Sequence, residues 1–220
     1  MISQKDPKSK GIEGAFMEKS EMRKLAEFIE KLSWDDLPEE VKTTVSFRVL
    51  DLISAALGAV DDPLVKKVKA SYLERNNGTG GKIWGSEGET DISTAAYINA
   101  MLAHTLELDD VHPASKTHGS ASLIPAAWSC ARYVHASGKE FLTAVVCGYE
   151  TVSRIGMALG VTSHRKKGWH ATATCGGFGC NININCCTYI DKLSYIKSDN
   201  YKKNNIKPYL NNIKIFYKTI

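Results

Sequence analysis

Between residues 20 and 180 the apolar side chains return every three or four positions, and that single periodicity excludes most folds. Met22, Leu25, Phe28, Ile29 and Leu32 mark a first short helix. Val41, Val45, Val49/Leu50, Ile53 and Ala56/Leu57 mark a long one from Pro38 to about Gly58. Pro38 suits its first turn, and Glu39 and Glu40 suit the positive end of its dipole. Asp61-Asp62-Pro63 opens a third helix towards Asn76, and Thr90 or Asp91 caps a fourth through Ala95, Ile98 and Leu102. Ser120 or Ser122 begins a fifth, with Pro125 in its first turn, and Glu140 to about Gly160 forms a sixth. Residues 161–175 read as a polar loop, and Gly176-Gly177-Phe178-Gly179 as the start of a close-packed helix. Two-residue alternation is confined to a short stretch around Lys82–Gly85. The expected class is therefore all-α, a helical bundle.

The pattern ends abruptly after Cys180. Residues 181–220 hold eight Asn, eight Ile, seven Lys and five Tyr, with no Ala, Gly, Val, Glu or Arg. These residue types share adenine- and thymine-rich codons, so the segment is expected to be a low-complexity tail read out of frame, and the domain before it to be cut short. Residues 1–19, polar and rich in Lys and Ser, are expected to be a disordered leader, which leaves residues 20–180 as the helical domain.

Charge narrows the partners. The net charge of +4 arises in the tail, where seven lysines face two aspartates, and residues 1–180 carry about −1. No nucleic-acid partner is expected. No apolar run is long enough for a membrane span, and the first twenty residues lack the apolar core of a signal peptide, so the expected compartment is the cytoplasm. The six cysteines show no zinc-site spacing, and no structural disulfide is expected.

The chemistry concentrates in His104–Ser120, His-Thr-Leu-Glu-Leu-Asp-Asp-Val-His-Pro-Ala-Ser-Lys-Thr-His-Gly-Ser, between two alanine-rich helices. Glu107, Asp109 and Asp110 crowd three carboxylates together, which shifts proton affinities where water is scarce. Against this stands the plain reading of a solvated acidic turn. A histidine side chain ordinarily titrates near neutral pH, so His112 and His118 are both candidates for moving a proton. Thr117, His118 and Ser120 precede a helix start, whose free N–H groups suit a carboxylate, and Lys116 adds a cation. A second reading of the same stretch is a metal site from His104, Asp109, His112 and His118, but the spacing matches no strong motif, and no metal and no cofactor are expected. His170, after Gly168-Trp169 and before small residues, is the second candidate for proton transfer. His164 to Lys167 read as a solvated basic loop. Asn77-Gly78-Thr79-Gly80-Gly81 lacks the Lys-Ser/Thr ending of a phosphate loop and reads as a flexible connection.

Three features together resemble the MmgE/PrpD family, which includes 2-methylcitrate dehydratases, cis-aconitate decarboxylases and an iminodisuccinate epimerase. They are His104 to Pro113 with Thr117-His118-Gly119-Ser120; Gly148-Tyr149-Glu150 with Arg154-Ile155-Gly156; and Gly168-Trp169-His170 leading to Gly176–Gly179. The resemblance covers about residues 20–180. It implies a helical domain followed in full-length members by a smaller lid domain, a homodimer, and a small polycarboxylate substrate handled without an iron–sulfur cluster. The family's catalytic histidines fall on His118 and His170, and its Asp-Phe-Asp-Asp segment on Glu107-Leu108-Asp109-Asp110, where the first acid is one methylene longer. Val111 stands where several members have threonine.

The resemblance implies dehydration of a 2-methylcitrate-like substrate by proton abstraction next to a carboxylate. His118 or His170 is then the acid or base, tuned by Glu107, Asp109 and Asp110, and His112, Lys116, Thr117 and Ser120 hold the substrate. Decarboxylation and epimerisation use the same carbanion-like intermediate. The 220-residue chain itself is expected to have little activity, because family groups beyond the match are missing. The alternative from another class is a non-catalytic helical remnant or dimerisation module.

Overall fold

The computed structural model of the chain describes residues 21–76 and 78–193. The leader expected over residues 1–19 and the tail from residue 194 onward lie outside them. The described residues form eight α-helices: α1 Glu21–Lys31, α2 Glu39–Gly58, α3 Pro63–Leu73, α4 Ile92–Thr105, α5 Gly119–Tyr133, α6 Gly138–Ala158, α7 Val161–Lys166 and α8 Ala171–Leu193. Among them there is no strand, only isolated bridges between Gly81 and Thr90 and between His112 and Thr117. The all-α class read from the periodicity is the class observed. No single described helix is long and apolar enough to cross a membrane.

Local chemistry starts these helices. Asp62 Oδ1 accepts the N–H groups of Leu64 and Val65 at the head of α3, with Pro63 in the first turn. Asp91 Oδ1 accepts those of Ser93 and Thr94 at the head of α4. Ser137 and Glu140 close a reciprocal capping box on α6, with Ser137 N–H donating to Glu140 Oε2 at 2.6 Å.

Several helix boundaries differ from the sequence expectation, among them the start of α8, which begins at Ala171 rather than at Gly176. Helix α5 begins at Gly119, so Pro125 is its seventh residue and lies in the interior, where it forgoes one rung of the backbone ladder. The expected loop at 161–175 contains the short helix α7, entered through Gly160 in a left-handed conformation at φ +70°. Helix α8 runs straight through the composition change at Cys180 to Leu193. Its residues 181–187 still place Asn183 and Cys187 at buried positions, four apart on one face, and that geometry is indifferent to codon bias.

Helices α6 and α8 lie side by side at the centre, and α5 packs on both. Helix α4 packs on α5, and α2 and α3 pack on α4. Leu52, Ile98, Leu102, Leu123, Ile124 and Val145 are fully buried where these layers meet. Trp128 stands edge-on to both Trp84 and Phe141, with ring centroids 6.0 and 5.8 Å apart. The last residue of the glycine-rich connection, Gly81, is closely packed. A side chain at Gly81 would come within 2.5 Å of the Asp91 carbonyl, and buried Asn99 holds the next residues by accepting from Trp84 N–H and donating to the Lys82 carbonyl, each at 2.9 Å.

Candidate active site

Helix α4 delivers His104 on its last turn, and the chain then reverses through Glu107, a non-glycine residue at φ +50°. Asp109 follows, its side chain 0% exposed. Its Oδ1 lies 2.9 Å from His104 Nδ1 and its Oδ2 lies 3.2 Å from His118 Nδ1. An ionised carboxylate only accepts, so both imidazoles present Nδ1–H to it. That fixes both tautomers and leaves Nε2 of each ring as the atom that can take a proton. The His104 and His118 rings stand 5.0 Å apart at 69°. His170, exposed just before α8, adds a third ring 6.4 Å from His118 and near-parallel to it at 21°. The His118 N–H donates to Thr172 Oγ1 at 2.8 Å, which ties the start of α5 to the start of α8.

Asp110 does something different. Its Oδ1 accepts the Ser120 N–H at 2.9 Å, and its Oδ2 accepts the Tyr149 hydroxyl at 2.8 Å and lies 3.2 Å from the Arg48 guanidinium. Helices α2, α5 and α6 thus converge on one carboxylate. The start of α5 was expected to receive a substrate carboxylate, and its Ser120 N–H already holds one from the chain itself. Burial pushes the Tyr149 phenol far above its ordinary range, and the charge of Asp110 adds to the shift, so it stays a hydrogen-bond donor.

Between Asp110 and His118 the chain closes a tight loop. His112 N–H donates to the Thr117 carbonyl at 2.9 Å and Lys116 N–H to the His112 carbonyl at 2.8 Å. Inside it His112 Nδ1 accepts the Ser115 N–H at 3.3 Å and lies 2.8 Å from Ser115 Oγ, which lies 2.7 Å from Thr117 Oγ1. Burial lowers the His112 pKa below 6.5, and the charge of Asp110 opposes it. Gly156 lets α6 approach, because a Cβ there would come within 2.6 Å of Ser115 Cβ.

Of the sequence candidates, the fold gathers Asp109, His118 and His170 with His104, and sets Asp110 and Ser120 in the adjoining clamp. Thr117 and His112 are internal to the loop. Lys116 is exposed at φ +54°. Glu107 is exposed, and its carboxylate makes no hydrogen bond or ion pair among the described residues. Sequence reasoning missed Arg48 and Thr172. Arg48 falls seven residues after Val41 and four before Leu52, on the buried face of α2, with its side chain only 20% exposed, but a charged residue reads as surface in sequence. Thr172 carried no signal either. A separate cleft of about 510 Å³ between α1, α6 and α8, lined by Leu25, Ile29, Ile155, Phe178 and Ile182 among others, contains no residue of His104–Ser120.

An all-α domain that seats two imidazoles on one secluded carboxylate, with a third imidazole beside them, is a scaffold for proton transfer. The MmgE/PrpD N-terminal domain matches residues 23–185, and the chain belongs to that family. It is similar to a cis-aconitate decarboxylase-like protein, oryM, of Aspergillus oryzae, with 27% identity over 154 residues, 67% of this chain and 32% of that protein. It is also similar to a cis-aconitate decarboxylase of Aspergillus terreus, with 25% identity over 150 residues, 66% of this chain and 31% of that protein. The chain spans about a third of the length of these relatives.

Proposed function

We propose that the site serves a lyase of the MmgE/PrpD type, acting on a small polycarboxylate by removing a proton from the carbon next to a carboxylate. The observation that carries this reading is Asp109 shared between His104 and His118. His118 takes the proton at Nε2 while Asp109 holds its Nδ1–H and stabilises the imidazolium that forms. His170, 6.4 Å away, is the second proton carrier, returning a proton to the intermediate or to the leaving hydroxide. Lys116 and the exposed Arg165, Lys166 and Lys167 beside α8 supply positive charge for a polyanionic substrate. Asp110, held by three donors, keeps the loop in place and moves no proton.

The relatives named are cis-aconitate decarboxylases, so decarboxylation of a cis-aconitate-like substrate stands beside 2-methylcitrate dehydration in this proposal. In dehydration His118 removes the proton; in decarboxylation carbon dioxide leaves its bonding pair on carbon, no proton is removed, and a protonated His118 or His170 delivers one to the carbanion, so the same histidines serve either reaction in different protonation states. Homodimerisation of the whole protein is part of the same proposal and is read by sedimentation.

The test is ligand binding in chelator-treated buffer. Cis-aconitate and citrate should raise the melting temperature of the chain, and His118→Ala should remove most of that rise. Product formation, followed by proton NMR, separates loss of carbon dioxide from loss of water. If neither tricarboxylate shifts the melt nor is turned over, the reading fails.

A further inference from the structure

We infer that His104, Asp109 and His118 form a binding site for one divalent cation of the zinc class, and that its occupation disables His118 as a proton acceptor. The consequence for catalysis rests on the proposed function; the site itself stands on geometry.

One ligand atom from each of the three residues lies within 4.8 Å of the other two. The carboxylate between the rings offers one oxygen to each, at 2.9 and 3.2 Å from the two Nδ1 atoms. Around tetrahedral zinc, bonds of about 2.0–2.2 Å put neighbouring ligand atoms about 3.4 Å apart. The two carboxylate contacts, made by different oxygens, are slightly shorter than this, and the set as a whole lies within 4.8 Å, so a rotation of the rings that brings both nitrogens towards one Asp109 oxygen makes room for an ion. Asp109 is 0% exposed, which removes the usual objection that clustered acids on a surface mean nothing.

The donor set selects the ion. Two imidazole nitrogens and one carboxylate oxygen suit zinc and its neighbours, whereas calcium and magnesium prefer oxygen throughout. Three protein ligands leave the fourth position open, as in sites where zinc carries water or substrate. Nearby groups are already committed. Arg48, Tyr149 and the Ser120 N–H occupy Asp110, and His112 is turned to Ser115. Two neutral imidazoles and one carboxylate leave the complex with a net charge of about +1, which favours an anionic fourth ligand such as a substrate carboxylate.

Metal and hydrogen bond compete for the same atoms. Coordination needs the Nδ1 lone pair of each ring, so each Nδ1 gives up its proton and Nε2 takes one from solvent. The ring stays neutral and no net proton is lost. His118 then carries its proton on the nitrogen that the reaction needs bare, and the site cannot begin a proton abstraction.

The experiment titrates the full chain, stripped with a chelator and kept reduced, with Zn²⁺ by calorimetry and with Co²⁺ by visible spectroscopy. The expected result is one site per chain with the absorption of four-coordinate cobalt on nitrogen and oxygen. Affinity should fall at least about tenfold in His104→Gln and in Asp109→Asn, and stay unchanged in His112→Ala. Thermal melts confirm that each variant is folded; if Asp109→Asn does not fold, His104→Gln decides alone, because that ring is 44% exposed and replaceable. Absence of a site, an affinity unchanged in His104→Gln, or a thiolate charge-transfer band placing the ion on cysteines overturns the proposal. Tricarboxylate binding in chelator is read separately. If it persists while zinc fails, only the metal site falls; if zinc binds at these residues and tricarboxylates do not, only the lyase reading falls.

Discussion

Asp109 and Asp110 are neighbours with the same side chain, and their surroundings give them different work. Asp109 meets only imidazoles, so it sets their tautomers. Asparagine in its place can accept from one Nδ1–H but presents an amide N–H to the other. Nitrogen-edited NMR should therefore show His104 and His118 both protonated at Nδ1 in the native chain and only one of the two in Asp109→Asn, with turnover by the whole protein about 10²–10⁴-fold lower. Asp110 meets a guanidinium, a phenol and a backbone N–H, so it is a clamp. Tyr149→Phe removes a buried donor to a charged acceptor and should cost about 1.5–3 kcal/mol in urea unfolding. His112 supplies a pH dependence. Its folded pKa is depressed below 6.5, so the folded state resists a proton that the unfolded chain accepts. Stability is fully present above about pH 6.5 and falls as the pH drops through the lowered value, and His112→Gln should flatten that slope. The grouping of Asp109, His118 and His170 was legible because carboxylates and histidines rarely crowd between two apolar helices. The clamp was not, because Arg48 and Tyr149 come from helices far away in sequence.

At the scale of elements, the periodicity located the helices well and their faces less well. On α2 the expected stripe included Leu50 and Leu57, yet these are 60% and 47% exposed, while Leu52 is fully buried. The buried face runs through Val41, Val45, Arg48, Leu52 and Ala56. An arginine on the stripe disguised its phase, since a charge is ordinarily assigned to the surface. Caps were more legible because they depend on only three or four adjacent residues. Asp91→Ala should cost about 1 kcal/mol of stability. Its hydrogen bonds to Ser93 and Thr94 hold its pKa down at about 2, from 3.8, so this contribution is present above pH 3.8 and is lost as the pH falls towards 2. Gly156→Ala sets two effects against each other. Alanine favours the helix by about 0.5–1 kcal/mol. The Cβ meets Ser115 at 2.6 Å, and overpacking of that kind costs about 1–3 kcal/mol. The clash should win, with net destabilisation and shifted His112 and His118 resonances, because Ser115 braces the loop that holds both.

For the whole molecule the question is where the cooperative unit ends. Composition places a boundary at residue 180, and the structure carries α8 across it. Asn183 Nδ2 donates to the Leu123 carbonyl of α5 at 2.9 Å, and its side chain fills the space above Gly148 of α6. Cys187 is 1% exposed between the same helices, and the family match itself extends to residue 185. A helix face held by a buried amide and a buried thiol opens only when its neighbours do. Native-state hydrogen exchange should therefore place the amides of residues 181–187 in the same slow class as the centre of α6. Asn183→Ala should lower the protection of both together, by about 1–3 kcal/mol, because it leaves the Leu123 carbonyl without that donor and opens a gap beside Gly148. If residues 181–187 instead exchange at the rate of an unstructured chain while α6 stays protected, the cooperative unit stops at the composition boundary. Then α5 and α6 must be covered there by something other than α8.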